Sequence, residues 1–426
     1  MKSVNSLRFL DIVKEPNELL KLPYAPGMHM RRDQIAKDRQ PYLVSALGYP
    51  NAYALVAPPT PRMLPLGRWH EASFPKTHAA LGRLQGTLKH LANTDMVTRT
   101  LARREAVMSS QIEGTKSDLH QLLTYEATQS AGGLPADVKI TERYVAALQH
   151  GLERVRVRGR EVLDLALIHE LHALLMQDEV TRFPVGAYRE TQVWIGPTPR
   201  IEDATFVPAP PARVKGCMEE MAASILKYAP REDEQTVLTI SAQLAIAHAQ
   251  FETIHPYHDG NGRTGRLLMP LMLAAEGYPP LYLSGALLRA KSEYYPALAS
   301  VQLQGEWGPW LELLGHAVVE SCDESISIAE DLLALAERWE RELHRYRAHS
   351  ATRRLPRFLI GHPVLSVQQA AAGLSISVPA ANAALNNLLA ARIVSLLNER
   401  QWGRVFQATQ VLHRLDQLPA PRQRRG

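Results

Sequence analysis

The segment Ile254–Arg266, which reads IHPYHDGNGRTGR, concentrates side chains and glycines suited to phosphate chemistry. Pro256, Gly260 and Gly262 interrupt helical structure, which predicts a loop between two helices. The second helix should begin near Asn261, so that its unpaired backbone N–H groups and the positive end of its dipole point into the loop. Glycines also allow a phosphate to approach the backbone closely. The segment therefore predicts an anion site at a helix amino terminus.

Four side chains of this loop supply the other parts of a phosphate-transfer site. Arg263 and Arg266 lie three residues apart on one helix face, and guanidinium groups are well suited to phosphate oxygens. Asp259 offers a hard oxygen ligand for a magnesium ion that bridges two phosphates. His255 stands at the loop entrance, where it can accept a proton from an incoming nucleophile. This combination predicts transfer of a phosphate-bearing group.

Other interpretations of the histidines and of the chain are less well supported. His258 and Asp259 resemble the dyad of metal-dependent phosphohydrolases, but those dyads lie within helices, which Pro256 and Gly260 disfavour here. The HELH run at 169–172 has histidines three residues apart instead of four, so we expect helix packing there and not a zinc site. No GxxxxGK[ST] sequence occurs in the chain, which argues against P-loop chemistry.

The loop resembles the signature of the Fic family, HPFxDGNGRxxR, at every position except Tyr257, where the family most often has Phe. The resemblance implies a protein adenylyltransferase, in which a target Ser, Thr or Tyr hydroxyl attacks the α-phosphate of ATP and releases pyrophosphate. It implies that His255 is the general base and that Asp259 holds Mg²⁺. The nucleotide-binding residues that it implies are Gly260, Asn261, Gly262, Arg263 and Arg266. The ring of Tyr257 should anchor the loop, with its hydroxyl on a polar partner or solvent.

Two further regions resemble parts of the same family. The runs QVWI and TFVP, around a Gly/Pro turn, predict a β-hairpin at the place of the family's flap, which pairs with the backbone of the target protein. The flap residues are Val193, Trp194, Ile195, Thr205 and Phe206. Tyr294 and Tyr295 fall in a stretch that resembles the one contributing a tyrosine pair near the nucleotide base, although aromatic residues at helical positions also build cores.

Ser109 and Glu113, one helical turn apart in SSQIEG, fit the family's inhibitory pattern [ST]xxxE[GN]. By itself this spacing is common on solvated helix faces. Together with the catalytic loop it resembles the class with an amino-terminal inhibitory helix, and it implies that Glu113 pairs with Arg266. That pair would withhold the guanidinium from the γ-phosphate of ATP. In the alternative, Glu113 positions a water that removes AMP, which would make the protein a bifunctional AMPylase and deAMPylase.

Helical periodicity fills most of the chain around these motifs. Helical stretches are predicted over about 76–130, 140–156, 161–177, 233–253, 287–303 and 308–346. In the stretch 233–253, the aliphatic residues fall on one face. The predicted fold class is mainly α: a helical Fic core with a small β-hairpin flap, followed by a C-terminal winged helix-turn-helix. The predicted domains are an irregular amino-terminal wrap (1–70), a helical region with the inhibitory helix (71–135), a Fic catalytic domain (136–346) and a winged-helix-like unit (347–426).

The carboxy-terminal unit permits two interpretations. Residues 351–426 carry ten arginines, no lysine and two acidic residues, a net charge of +8, which favours DNA as a partner. The second helix of the helix-turn-helix offers amides that can pair with adenine edges, from Asn382, Asn386 and Asn387. That helix has no basic residue before Arg392, so we favour a dimerisation or target-docking module and expect a homodimer.

The partners that we expect are a target protein bound through the flap and the chain itself, through autoadenylylation. The competing function is a DNA-binding transcriptional regulator with a secondary or degenerate Fic core. The intact catalytic loop argues against a degenerate core.

The composition is that of a globular protein, with 426 residues, 46% hydrophobic and 21% charged. Cys217 and Cys322 form neither a disulfide framework nor a metal-ligand spacing, which is typical of a reducing compartment. No apolar run approaches the ~20 residues of a membrane span, and the amino terminus has no uninterrupted apolar core of a secretory signal. We therefore expect a soluble cytoplasmic protein of several domains with no membrane partner.

Overall fold

The computed structural model of the chain describes residues 30–64, 68–91, 94–177, 183–232, 234, 236–397 and 403–417. These residues are mostly helical, with two small antiparallel sheets, so the predicted mainly α fold is confirmed. One hydrophobic cluster extends from the amino-terminal helices into the carboxy-terminal unit. Each described helix is too short or too polar to serve as a membrane span.

A β-hairpin lies within the stretch predicted to be an irregular wrap (1–70), which corrects that prediction. Strands β1 (Leu43–Ala46) and β2 (Tyr49–Leu55) pair antiparallel around a tight turn, where Gly48 has a φ of 79°. Glycine adopts this left-handed conformation without the steric penalty of a side chain. The sequence signal is weak because β2 contains a proline and the register shifts after Ser45, which breaks the alternation of side chains.

The amino-terminal half of the helical domain contains α1 (Arg68–His90), α2 (Thr94–Ile112), α3 (Leu119–Thr128), α4 (Val138–Arg158) and α5 (Leu165–Leu175). Most of α2 is buried, because it packs against α4 and against elements further along the chain. The helix ends just before Gly114, whose φ of 97° agrees with the predicted helix-terminal glycine. Helix α2 therefore has a fixed position in the core at the end that carries the predicted inhibitory residues.

The second half contains α6 (Pro211–Met221), α7 (Ile240–Ile254), α8 (Asn261–Ala275), α9 (Ser284–Arg289), α10 (Lys291–Ala299) and α11 (Gly308–Glu342). Helix α7 begins later than the predicted residue 233, because the Thr239 side chain caps it by accepting the N–H of Ala242. All of its residues are buried, so the predicted one-sided pattern is corrected to a helix surrounded by protein. The predicted helix 287–303 is divided at Ala290.

The carboxy-terminal unit contains α12 (Ala351–Gly361), β3 (Val364–Ser366), α13 (Val367–Leu374), α14 (Val378–Ala390), β4 (Ser395–Leu396), β5 (Val405–Gln407) and α15 (Thr409–Asp416). Its three strands form an antiparallel sheet in the order β3–β5–β4. The helices and strands occur in the predicted order. The unit packs on α2, α3 and α11, where the Thr100 hydroxyl donates to the carbonyl of Ile360 at 2.5 Å.

Candidate active site

The loop between α7 and α8 is held closed by its own side chains. His255 follows α7 in the left-handed conformation, with a φ of 50°, and its N–H donates to the carbonyl of Phe251 at 2.9 Å. The Asn261 side chain accepts the N–H of Tyr257 and donates to its carbonyl, both at 2.9 Å. Asn261 was predicted to bind phosphate, and in the structure its side-chain amide closes the loop through these two bonds to Tyr257.

Tyr257 anchors this loop in the core, as its aromatic ring predicted. It is fully buried, its hydroxyl lies 3.0 Å from Nδ1 of His169, and its ring stacks on His172 with centroids 3.6 Å apart. His172 Nδ1 accepts the N–H of Gly186 at 2.9 Å, so its Nε2 carries the proton that is donated to the carbonyl of Asp259. Burial lowers the pKa of His172 to about 4, which agrees with a neutral ring. The HELH histidines therefore pack the loop, as predicted.

The first turn of α8 has the features expected of the predicted anion site. Its leading backbone N–H groups have no intrahelical partner and carry the positive end of the helix dipole. Arg263 is buried, with one nitrogen 3.4 Å from the sulfur of Met176, while its Nε and Nη1 have no hydrogen-bond partner among the described residues. Buried guanidinium nitrogens without acceptors indicate a site for an anion.

The Glu113–Arg266 pair predicted from sequence is present in the structure. Nη2 of Arg266 lies 2.6 Å from Oε1 of Glu113, and the guanidinium also donates to the carbonyl and hydroxyl of Ser109, each at 3.0 Å. Arg266 is buried, with 1% of its side chain exposed. Burial by itself would raise the pKa of Glu113, but the Arg266 guanidinium holds that pKa below its usual range. The pair is therefore ionised, with the guanidinium shielded from water and 26% of the Glu113 side chain exposed.

The Glu113 carboxylate also covers the amino terminus of α8. A Cβ built on Gly262 would collide with the Glu113 carboxylate, because the carboxylate occupies the space over this glycine. The space predicted to let a phosphate approach the Gly262 backbone is thus occupied by a carboxylate of the same chain. Glu113 lies against the anion site and against Arg266 at once.

His255, the predicted base, lies beside Arg189 and Glu252. Its side chain is 17% exposed, and Arg189 donates to its carbonyl at 2.8 Å. Burial, and then the charge of Arg189, lower the pKa of His255 to about 3. The ring is therefore neutral at physiological pH, as a proton acceptor must be.

Asp259 lies at the mouth of the loop, with 60% of its side chain exposed. One carboxylate oxygen accepts the N–H of Gly260 at 2.5 Å, and the Arg263 guanidinium is 3.8 Å away. The described residues include no group of three or more His, Cys, Asp or Glu side chains that could hold a metal by themselves. An exposed carboxylate beside an anion site nevertheless suits Mg²⁺, which keeps several waters and binds through one or two carboxylates together with substrate phosphates.

The predicted tyrosine pair lies on α10, near Arg266. Tyr294 is 1% exposed, its hydroxyl is 2.6 Å from Nε2 of His248, and its ring packs against Trp310. Tyr295 is also buried, with its ring centroid 4.9 Å from that of Tyr294. These contacts give Tyr294 a place in the core. A role of either residue at a nucleotide base stays a prediction.

The flap prediction needs correction for Thr205 and Phe206. The predicted hairpin is reduced to one antiparallel bridge, between Ile195 and Phe206. Thr205 and Phe206 are buried, because β2 and Met30 bond to the opposite side of their segment, through the carbonyls of residues 207 and 204. Val193, Trp194 and Ile195 remain half-buried, and only their outer edge is left for a target backbone.

Two family profiles match this chain: "Fic/DOC family N-terminal" over residues 72–153 and "Fic/DOC family" over residues 162–273. The second match contains the whole loop, and the first contains Glu113. These two stretches of the chain belong to the Fic/DOC family. The resemblance that the loop predicted is confirmed.

Curated relatives of this Fic/DOC protein carry the name protein adenylyltransferase. The protein from Caenorhabditis elegans, fic-1, is 34% identical over 126 residues, which are 30% of this chain and 22% of that protein. The Fic protein from Drosophila grimshawi is 23% identical over 265 residues, which are 62% of this chain and 47% of that protein. The chain thus spans less than half the length of these relatives.

Solved structures similar to this Fic/DOC protein include a Fic family protein from Desulfovibrio desulfuricans G20, with a TM-score of 0.49 and 20% identity. That similarity covers 82% of this chain and 98% of the other. Fic-1 of Caenorhabditis elegans, residues 134–508, has a TM-score of 0.47 and 21% identity, over 62% of this chain and 74% of the other.

Sequence reasoning missed three residues of the site in this Fic/DOC protein. Arg189 is 2% exposed and joins the flap to the loop, since it bonds the carbonyls of both His255 and Ala209. Lys291 donates to the carbonyl of Ile112 at 2.6 Å, at the end of the inhibitory helix. Nothing in the local sequence distinguishes these two cations. Glu252 had a signal, because it precedes His255 by three residues, which is helical spacing.

The asparagines that were candidates for reading adenine have other partners. Arg404 donates to the side-chain oxygens of both Asn382 and Asn386. The Asn387 amide donates to the Thr352 hydroxyl at 3.0 Å. Their oxygens or amides are therefore engaged within the carboxy-terminal unit, which weakens the DNA interpretation of this Fic/DOC protein.

Proposed function

We propose that this Fic/DOC protein transfers AMP from ATP to a Ser, Thr or Tyr hydroxyl of a target protein and releases pyrophosphate. The observation that carries the proposal is the loop of residues 256–260, which joins a buried neutral His255 to the anion site at the amino terminus of α8. A proton acceptor and a phosphate site at the two ends of so short a loop are the parts that phosphoryl-group transfer needs. The names of the curated relatives support the same reaction.

In the proposed reaction, His255 takes the proton of the target hydroxyl as the oxygen attacks the α-phosphorus. The new P–O bond forms as the bond between the α-phosphorus and the bridging oxygen breaks, and pyrophosphate leaves with that oxygen. Arg263 and the N–H groups of α8 hold the phosphates, and Arg266 holds the γ-phosphate once it is released from Glu113. Asp259 would hold Mg²⁺ together with phosphate oxygens, and the ion would supply positive charge to neutralise the leaving group.

We further propose that Glu113 inhibits this transfer, because the guanidinium of Arg266 cannot serve the carboxylate and the γ-phosphate together. Replacing Glu113 by Gly should raise the transfer rate about tenfold or more, since ~1.4 kcal/mol corresponds to a factor of ten. The Arg266→Gln variant should not be activated, and the double variant should behave like Arg266→Gln. The measurement is transfer of label from α-³²P-ATP to the protein itself and to a lysate.

Gln111→Gly is a matched control, because it introduces the same helix-weakening residue on α2 and leaves the Glu113 carboxylate in place. Activation by Gln111→Gly to the same extent would show that loosening α2 is enough, and that the carboxylate has no specific role. Failure of Glu113→Gly to label any protein would contradict the proposed reaction.

A further inference from the structure

Two buried polar atoms near the end of α7 have no hydrogen-bond partner among the described residues. They are Nδ1 of His255 and Oε1 of Glu252. The other carboxyl oxygen, Oε2, lies 3.9 Å from that same Nδ1. Both side chains are shielded from water, with 11% of Glu252 and 17% of His255 exposed. An unsatisfied polar group in such a place is destabilising, so its presence calls for a physical reason.

The end of α7 fixes the relative position of these two side chains. Glu252 is in the last turn of α7, and His255 follows the helix in a left-handed conformation, where its N–H still bonds back to Phe251. The carboxyl also lies against α8, since a Cβ on Gly265 would be 3.0 Å from Oε1. The carboxyl therefore lies between α8 on one side and the histidine ring, 3.9 Å from its Oε2, on the other. A movement of about 1 Å would complete a hydrogen bond, and catalytic hydrogen bonds are often long before substrate binds.

We propose that Glu252 is a positioning residue that accepts a hydrogen bond from Nδ1–H of His255 and stabilises the imidazolium formed during transfer. The arrangement leaves Nε2 of the ring unprotonated, so it is Nε2 that takes the proton of the target hydroxyl. A carboxylate in this position raises the basicity of a ring that burial otherwise makes a weak base. The role in transfer rests on the proposed function, whereas the contact itself does not.

The charged groups around the carboxyl set its response to pH. Burial raises the pKa of Glu252 to about 7, the Arg266 guanidinium on α8 opposes that rise, and Glu113, just after α2, adds to it. Tyr294 on α10 also interacts electrostatically with this carboxyl, and Arg189 and the carbonyl of Glu252 act on the histidine ring. Because the carboxyl takes up a proton as the pH falls through its pKa, its support of the base should be lost on the acid side of neutrality.

The test uses the full chain in the Glu113→Gly background, where transfer is expected to be released. Glu252→Gln keeps the shape and an acceptor oxygen but removes the charge, and Glu324→Gln is the matched control, since that buried carboxylate on α11 bonds to Arg104 and Arg289 instead. We expect Glu252→Gln to lower kcat roughly 10- to 100-fold, with the KM for ATP within about twofold, because the base acts only in the chemical step. The fall in kcat at pH values below neutrality should disappear in Glu252→Gln and persist in Glu324→Gln.

A second measurement does not depend on transfer. The ¹⁵N shifts of the His255 ring, assigned by their absence in His255→Ala, should show Nδ1 protonated at pH 7, and Glu252→Ala should abolish that preference. A ring protonated at Nε2 would overturn the proposal, as would a Glu252→Gln variant that keeps the acid limb of the pH profile. If no variant transfers AMP but the Nδ1–H tautomer depends on Glu252, the contact stands and the proposed reaction fails.

Discussion

His255 combines a left-handed backbone with a buried neutral ring, and both follow from its place just beyond the end of α7. If the ring is the proton acceptor, His255→Ala should lower the transfer rate roughly 100-fold or more, the usual scale for a positioned base. ATP binding should survive, because the anion site on α8 belongs to other residues. The rate is measured by AMP labelling in the Glu113→Gly background and ATP binding by calorimetry. His344→Ala removes an exposed histidine and should change neither value.

Arg263 has two buried nitrogens without acceptors, which distinguishes it from Arg266. A charge-assisted hydrogen bond contributes ~1.5–3 kcal/mol, so Arg263→Gln should weaken ATP binding about tenfold or more. Calorimetric titration of the Glu113→Gly protein with ATP measures the change. Arg345→Gln, at an exposed arginine, should bind ATP as the parent does. Equal affinity of the Arg263 variant would remove this residue from the phosphate site.

Among individual residues, the sequence predicted those that belong to a short motif of known chemical meaning. The loop residues and the Glu113–Arg266 pair could be predicted because each motif is local and has a known chemical meaning. Arg189 could not, because its partners lie about 20 and 66 positions away and depend on how the flap folds back. Asn261 shows the opposite limit: its presence in the loop was predicted, but its hydrogen bonds to Tyr257 were not.

Helix α2 connects two parts of the molecule, because one end carries the inhibitory pair and the other packs on α12. Gly361 makes the second contact close, since a Cβ there would be 2.7 Å from the sulfur and 3.2 Å from Cα of Met96. Gly361→Ala should therefore destabilise the protein by ~1–3 kcal/mol, the usual cost of overpacking. Gly86→Ala on α1 has open space and should stabilise by up to ~1 kcal/mol. Thermal unfolding of both variants checks the two opposite signs.

Sequence patterns located elements better than they located strand pairing. The helices were predicted because each repeats its apolar residues over many turns, whereas β1 and β2 are short, bulged and partly exposed. The hairpin expected at 193–206 formed a single bridge, and the other side of the segment bonds to Met30 and Leu55. Pairing between distant strands depends on tertiary packing, and the periodicity of a sequence gives no information about that packing.

Among the described residues, burial lowers the pKa of six histidines, and four of them are lowered far: His172 and His362 to about 4, and His248 and His255 to about 3. In the unfolded chain these rings gain protons below pH 6.5, while the folded protein keeps them neutral, so stability should fall as the pH falls through this range. Glu252 acts in the opposite direction, because its pKa is raised to about 7.

Each of the four rings with pKa of about 3 or 4 lowers the free energy of unfolding by about 1.4 kcal/mol for every pH unit below 6.5. From pH 7.5 to pH 5.5 we therefore expect a net loss on the order of 3 kcal/mol and a melting temperature lower by several degrees. Differential scanning calorimetry at the two pH values measures the change in melting temperature. An equal or higher melting temperature at pH 5.5 would contradict the assignment of neutral rings.

Arg266 and Glu113 belong to the same chain, so the carboxylate meets the guanidinium at an effective concentration that the fold sets. Dilution of the protein leaves the fraction of occupied guanidinium groups unchanged, whereas a block supplied by a second chain would weaken on dilution. ATP thus competes with a tethered ligand whose concentration is constant. Its apparent affinity is reduced by one fixed factor, whatever the abundance of the protein in the cell.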